Sequence, residues 1–153
     1  MTKVLDKAKI KALGIEGGWT LGLADVVKYS DLDTYNHVNN KIYHTWFENA
    51  RVLYLEMLGI VFSQASEIKP VVRSANITYD APMYNAEEYI TLARVSRLGR
   101  TSFVVEYAIW CDGTIRVMGD TTLVMVNKTA TESRPVPDEL REVMITRDGA
   151  KTS

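Results

Sequence analysis

Cysteine is nearly absent from this chain: Cys111 is the only one in 153 residues. A lone thiol excludes an intramolecular disulfide and a cysteine-rich metal site. Histidine is scarce as well, and His37 and His44 are too few for a histidine-dominated metal centre. Neither sign of charge is in surplus, with 18 basic against 19 acidic residues and a formal net charge of -1. Binding to nucleic-acid phosphates favours a basic excess, so no nucleic-acid partner is expected. No apolar run approaches the ~18 residues of a membrane-spanning helix. The first 18 residues, MTKVLDKAKIKALGIEGG, lack the apolar core of a signal peptide. A cytoplasmic protein is the expectation. Internal repeats and low-complexity segments are missing too.

What remains is 46% hydrophobic and 24% charged, the balance of an ordinary globular domain with a sizeable core. Apolar residues alternate at Trp19, Leu21, Leu23, Val27 and Tyr29, the period-two pattern of a strand with one buried face. From about Val38 the period changes. Tyr43, Trp46, Phe47, Ala50, Leu53, Tyr54, Met57 and Leu58 recur at spacings of three and four, which predicts one long helix. Ile42, Val52 and Leu55 widen its stripe, so other structure should cover most of it. Asn36 or Asn39 is placed to cap its start, and Gly59 to end it in a left-handed cap.

Four more strands are expected, over residues 71–79, 89–95, 102–110 and 115–126. The Asp112-Gly113 pair marks a tight hairpin between the last two. Short connections make the neighbours antiparallel. Residues 138–144 read as a short helix and RDGAKTS as a frayed tail. The organisation expected is an extension over 1–18, a main domain over 19–130, and a connector, short helix and tail over 131–153. The class is α+β, a curved antiparallel sheet of about five strands wrapped around one helix. One helix cannot cover every apolar position of such a sheet, which points to self-association.

Chemically capable side chains crowd into one stretch between the first strand and the long helix. Asp31, Asp33, Asn36, His37, Asn39 and Asn40 fall within ten residues. Free N–H groups at a helix start favour negative charge and can hold an oxyanion that develops during acyl transfer. A carboxylate beside such a hole suits a nucleophile or general base. The competing reading is purely structural, because Asp, Asn and Ser bond to nearby backbone in turns and caps. Spacing does not decide between Asp31 and Asp33. Tyr43, Trp46 and Phe47 read first as core, Glu48 and Arg51 as an i,i+3 pair, and Cys111 as a small packed side chain.

The run SDLDTYNHVNN followed by KIYHTWFENAR resembles the 4-hydroxybenzoyl-CoA thioesterase-like branch of the hotdog-fold acyl thioesterases. Those proteins carry Asp-x-Asp, a Gly-His-Val-Asn-Asn-like run, and an aromatic helix with Phe-Glu-x-x-Arg. Here the matching residues are Asp31-Leu32-Asp33, His37-Val38-Asn39-Asn40 and Phe47-Glu48-Asn49-Ala50-Arg51. The resemblance covers about residues 19–130. It implies a hotdog fold assembled as a homodimer or dimer of dimers, with active sites near the subunit interface. It also implies hydrolysis of an acyl-CoA thioester without a metal or other cofactor. Asp33 matches the catalytic acid, acting as nucleophile or general base, and Asn40 the residue whose backbone N–H helps form the oxyanion hole. His37 and Asn39 become active-site scaffold, and Asn39, Tyr43 and Glu48 the substrate-contacting set. Arg73, Arg94, Arg97 and Arg100 are candidates for the CoA phosphates. The alternative is a non-catalytic acyl-CoA-binding hotdog protein; a hydratase fits the Asp-x-Asp turn poorly.

Two departures bear on the site. Many relatives have Gly before the His where this chain has Asn36, so a side chain is expected to narrow or reorient the turn. Plant acyl-ACP thioesterases share part of the run. They carry Asn where this chain has Tyr35, and a Cys for which TYDAPMYN offers no match. A cysteine mechanism is therefore not expected.

Overall fold

The structure is a computed structural model that describes residues 2–153. Its elements are β1 (Lys3–Asp6), α1 (Lys7–Ala12), β2 (Leu21–Val26), a 3-10 turn (Tyr29–Asp31), α2 (Asn40–Met57), β3 (Ile68–Tyr79), β4 (Glu88–Leu98), β5 (Ser102–Cys111), β6 (Thr114–Asn127), α3 (Asp138–Thr146) and β7 (Lys151–Thr152). One sheet runs in the order β1-β2-β4-β5-β6-β3, antiparallel throughout that path. The five expected strands are present, and the two ends of the chain add β1 and β7.

The long helix lies on one face of this sheet. Tyr43, Trp46, Phe47, Ala50, Tyr54 and Leu55 are its buried residues, and they share one core with Leu23, Val95, Tyr107, Val117 and Leu123 of the strands. Met57, expected on the buried stripe, is 59% exposed because the helix ends there. The Phe47 ring stacks on Tyr107, with centroids 4.6 Å apart. That approach depends on Gly119 of β6, where a Cβ would sit 2.8 Å from the Phe47 ring and 2.8 Å from the Asn76 carbonyl. The hairpin at Asp112-Gly113 has φ of 49° and 78°. Both central residues lie in the left-handed region that a two-residue turn matched to strand twist requires.

Residues near the N-terminus build a second core on the opposite face of the sheet. Leu5, Ile10, Ile15 and Trp19 pack there with Leu92 and Ala108. This explains why Trp19 is buried but not in the same cluster as Leu21. Tyr29, placed on the buried face by alternation, is 79% exposed, since the chain leaves the sheet after Val26 and enters the 3-10 turn.

The frayed tail expected for RDGAKTS does not occur. The Asp148 carboxylate is fully buried and accepts from the Tyr54 hydroxyl, from the Val95 N–H at 2.8 Å and from Arg147 Nε at 2.9 Å. Val95 precedes an irregularity in the β4–β5 ladder. Asp148 thereby satisfies a backbone donor, ties the tail to α2 through Tyr54, and leads into β7, which pairs in parallel with Arg97 and Leu98. Burial and the adjacent Asp148 carboxylate push the Tyr54 phenol well above its ordinary pKa.

Candidate active site

The polar stretch folds into a closed turn. Asn39 N–H donates to the Asp31 carbonyl at 2.8 Å and Asp33 N–H to the His37 carbonyl at 2.8 Å. These bonds flank a bridge between Leu32 and Val38, so residues 31–33 and 37–39 run antiparallel. Asp33 and the start of α2 are brought side by side despite six intervening residues. At the turn's tip Asn36 has φ 61°. Asparagine is the residue after glycine that best tolerates this region. Asn36 therefore holds the left-handed tip of this turn, with its side chain exposed.

Asp33 is half-buried. Its Oδ1 accepts from Tyr35 N–H at 2.8 Å and from His37 N–H at 3.3 Å. Its Oδ2 accepts no hydrogen bond among the described residues. One oxygen is fixed by the turn and the other stays open. Asp31 also spends one oxygen locally, Oδ2 accepting from Lys28 N–H at 2.9 Å.

Asn39, rather than Asn36, is the N-cap. Its side-chain oxygen accepts from Lys41 N–H at 3.1 Å and its carbonyl from Ile42 N–H at 2.9 Å. The second and third amides of α2 are thus satisfied. Asn40, the first residue of the helix, gives its N–H to no acceptor among the described residues. An unused donor at the positive end of an 18-residue helix is the arrangement an oxyanion needs.

His37 enters this turn through its backbone. Its ring packs edge-on against Tyr84, with centroids 5.2 Å apart. Tyr43 is buried between Trp46 and Tyr79. Burial, with Tyr79 close by, pushes its phenol up to about 12. Glu48 lies two turns along the helix, 64% exposed and 3.6 Å from Arg51. It faces a groove of about 220 Å³ between α2, β3 and β6, lined by His44, Arg51, Val72 and Asn76 among others. The structure thus gathers Asp33, His37, Asn39 and Asn40 at one turn and sets Glu48 along the helix from it.

Sequence reasoning missed the segment that supports this turn. Residues 80–87, between β3 and β4, pass behind it. Val38 N–H donates to the Met83 carbonyl at 2.9 Å, Ala86 N–H to the Val27 carbonyl at 3.0 Å, and Val27 N–H to the Glu87 carbonyl at 2.9 Å. Both ends of residues 27–38 are therefore anchored on it. Arg116 of β6 grips this segment in turn. Its carbonyl accepts from Asp80 and Ala81 N–H, and its guanidinium donates to the Pro82 carbonyl at 2.9 Å and to Glu87 at 3.3 Å. Glu87 also accepts from Tyr84 N–H at 2.7 Å and from the Cys111 thiol at 3.4 Å. Burial and that carboxylate push the thiol up to about 11, so Cys111 stays protonated and packed.

Of the four arginines considered for phosphates, Arg94 is engaged elsewhere. It forms an ion pair with Glu106 and covers the Trp19 ring at 4.4 Å. Arg73, Arg97 and Arg100 are exposed. Among the described residues no group of His, Cys, Asp and Glu is arranged to hold a metal ion, and no helix is long and apolar enough to cross a membrane.

Comparisons with known proteins agree with this architecture. A thioesterase superfamily protein from Jannaschia sp. CCS1 superposes with a TM-score of 0.90 at 30% identity, over 99% of this chain and 97% of that one. The PA2801 protein of Pseudomonas aeruginosa, a putative thioesterase by its description, superposes with a TM-score of 0.73 at 31% identity, over 80% of this chain and 95% of that one. The Bacillus subtilis (strain 168) protein YsmA is 25% identical over 120 residues, 78% of this chain and 81% of its own. Residues 27–144, which include the whole turn, α2 and the strands β3 to β6, match the thioesterase-like superfamily. The chain belongs to that superfamily, and its α+β architecture is the hotdog fold.

Proposed function

We propose that this protein hydrolyses an acyl-CoA thioester to a free acid and CoA, with Asp33 as nucleophile or general base and the Asn40 N–H in the oxyanion hole. Membership of the thioesterase-like superfamily supports thioester hydrolysis as the general chemistry. The observation that carries the finer reading is the pairing of two unused groups at one turn: Asp33 Oδ2 and the Asn40 N–H.

The substrate carbonyl oxygen lies against the Asn40 N–H, which stabilises the negative charge that forms there. Two routes then use Asp33. In the first, Oδ2 attacks the carbonyl carbon, the C–S bond breaks with CoA leaving as thiolate, and water hydrolyses the resulting mixed anhydride. In the second, Oδ2 takes a proton from water as the water oxygen adds to the carbon, and collapse again expels the thiolate. His37 and Asn39 keep the turn and the helix start in register, and Tyr43 and Glu48 border the path of the substrate. The reading calls for no metal or redox cofactor. CoA as carrier is favoured by two proteins of the same fold, a gentisyl-coenzyme A thioesterase (BH1999) and a Staphylococcus aureus protein (SAV2348) solved in complex with CoA. Of the four arginines considered, the exposed Arg73, Arg97 and Arg100 are the candidates for its phosphates. Self-association belongs to the same reading, with β3 as the joining edge.

The test is release of free thiol from a panel of acyl-CoA thioesters by wild type and Asp33→Asn. The substitution removes charge at nearly constant size, and kcat is expected to fall by ~10²-fold or more. Undiminished turnover in that variant would falsify the role of Asp33. Tight acyl-CoA binding by wild type without thiol release over hours would favour the binding-protein alternative.

A further inference from the structure

An N–H that is to meet a developing oxyanion has to point one way before the substrate arrives. Asn40 is exposed at the first position of α2, so its own packing does not fix that direction. The neighbouring peptide units have to be held instead. On the N-terminal side the chain is tied twice, with Val38 N–H donating to the Met83 carbonyl at 2.9 Å and Asn39 N–H to the Asp31 carbonyl at 2.8 Å. On the C-terminal side, Lys41 N–H donates to the Asn39 side chain at 3.1 Å. The other end of that same peptide unit is the Asn40 carbonyl, which accepts from the Tyr79 hydroxyl at 3.5 Å. The bond is long for an O–H donor, so its contribution to stability is small and its placement is what counts.

More than the hydroxyl places Tyr79 there. It is the last residue of β3, opposite Val117 of β6, and the Asp80 and Ala81 N–H groups that follow it donate to the Arg116 carbonyl. Val117 belongs to the core beneath α2, and directly opposed residues of a sheet share a face, so Tyr79 faces the helix. Its ring leans on the buried Tyr43 ring, with centroids 5.6 Å apart and planes at 56°. That spacing is favourable for an aromatic pair. Asn40 and Tyr43 form an i,i+3 pair and are neighbours on one face of α2. Tyr79 thus lies across the first turn of the helix, with its ring on Tyr43 and its hydroxyl on the Asn40 carbonyl. Cover for Tyr43 alone would call for a ring and no hydroxyl. The segment from Tyr79 to Met83 therefore holds the chain on both sides of the free amide, Met83 before it and Tyr79 after it.

We propose that Tyr79 is a positioning residue for the oxyanion donor: its hydroxyl holds the Asn40 carbonyl, and so sets the direction in which the Asn40 N–H meets the substrate carbonyl. This rests on the thioesterase reading for what the N–H binds, whereas the hold on Asn40 does not depend on turnover. Tyr79 acts on the donor and not on the acyl chain. Its hydroxyl therefore serves the transition state more than the bound substrate, and serves it equally for every acyl group.

The experiment compares wild type with Tyr79→Phe, which keeps the ring on Tyr43 and removes only the hydroxyl. The fold should persist, and circular dichroism verifies this. First, kcat and KM are measured with acetyl-CoA, hexanoyl-CoA and benzoyl-CoA. Second, amide exchange is followed by NMR at Lys41, whose N–H shares a peptide unit with the Asn40 carbonyl, and in the central strand β5 as a control. In Tyr79→Phe, kcat should fall about 3- to 10-fold, the effect of one net hydrogen bond, and by the same factor for each thioester cleaved. KM should stay within about 2-fold of wild type. Exchange at Lys41 should accelerate about 3- to 10-fold, with β5 unchanged. If wild type cleaves no thioester, the hydrolase reading fails, and exchange at Lys41 still decides whether Tyr79 holds Asn40. The assignment is overturned if exchange at Lys41 matches wild type, or if an active enzyme keeps its kcat. It is equally overturned if the loss falls on KM or differs among acyl groups, since Tyr79 would then act on the substrate and not on the donor.

Discussion

One left-handed backbone angle, at Asn36, lies at the tip of the turn that carries Asp33. At φ 61° a β-carbon meets the following carbonyl, which costs an ordinary L-residue ~1–2 kcal/mol. Asparagine reduces that cost and glycine removes it. Asn36→Gly should thus leave stability within ~0.5 kcal/mol of wild type, whereas Asn36→Ala should lose ~1 kcal/mol, measured by urea unfolding at matched m-values. An equal loss in both would mean that the Asn36 side chain contributes something other than tolerance of the angle. At this scale much was legible before any coordinates. Asp33, His37, Asn39 and Asn40 stood out by residue type and spacing, and the turn does bring them together. The ranking of Asp33 over Asp31 was not legible from spacing, and geometry leaves both with one open oxygen. Asp33 is distinguished by its place in the family's motif.

At the scale of elements, α2 and the strands could be read from periodicity because each is long enough to show its period. Segment 80–87 could not. It has no period, and its role lies in backbone groups that any residue type supplies. Arg116, which holds it, looked like one of many charged residues on a strand. Its function depends on a planar fork reaching two acceptors on a neighbouring loop, the Pro82 carbonyl and Glu87. Arg116→Lys retains the charge but not the fork. Because Val38 N–H bonds to the Met83 carbonyl within this loop, the variant should loosen the start of α2 without unfolding the sheet. Amide exchange at residues 31–40 should accelerate about 10-fold, with kcat falling and KM nearly constant. Unchanged exchange in that segment would show that the loop keeps its shape without the guanidinium.

At the scale of the whole molecule, the ends of the chain were the least legible parts. Residues 3–19 supply a strand, a short helix and a second core, but Gly14 and the Gly17-Gly18 pair cut the pattern before any one period is sustained. Residues 147–152 are tied in by a buried aspartate, which sequence alone reads as a tail. With those ends in place the two borders of the sheet differ. β1 is four residues long and carries Lys3 and Asp6. Short, charged edges resist pairing. β3 is twelve residues long, borders the sheet with no further strand beside it among the described residues, and exposes Val72 and Tyr79 at 52% and 41%. A long edge of this kind offers unpaired backbone groups to another strand, and a second copy of β3 is the self-complementary partner for a two-fold dimer. Sedimentation velocity should then report about twice the 17.2 kDa chain mass. Val72→Lys places a charge in the groove that β3 forms with Glu48, Arg51 and Asp120 of the same chain. Lysine there repels its symmetry mate only if the two β3 strands lie together. The variant should shift the equilibrium towards monomer, and raised salt should restore part of the dimer by screening. A wild type that sediments as a monomer at micromolar concentration would remove the dimer from the functional reading and leave each active site to a single chain.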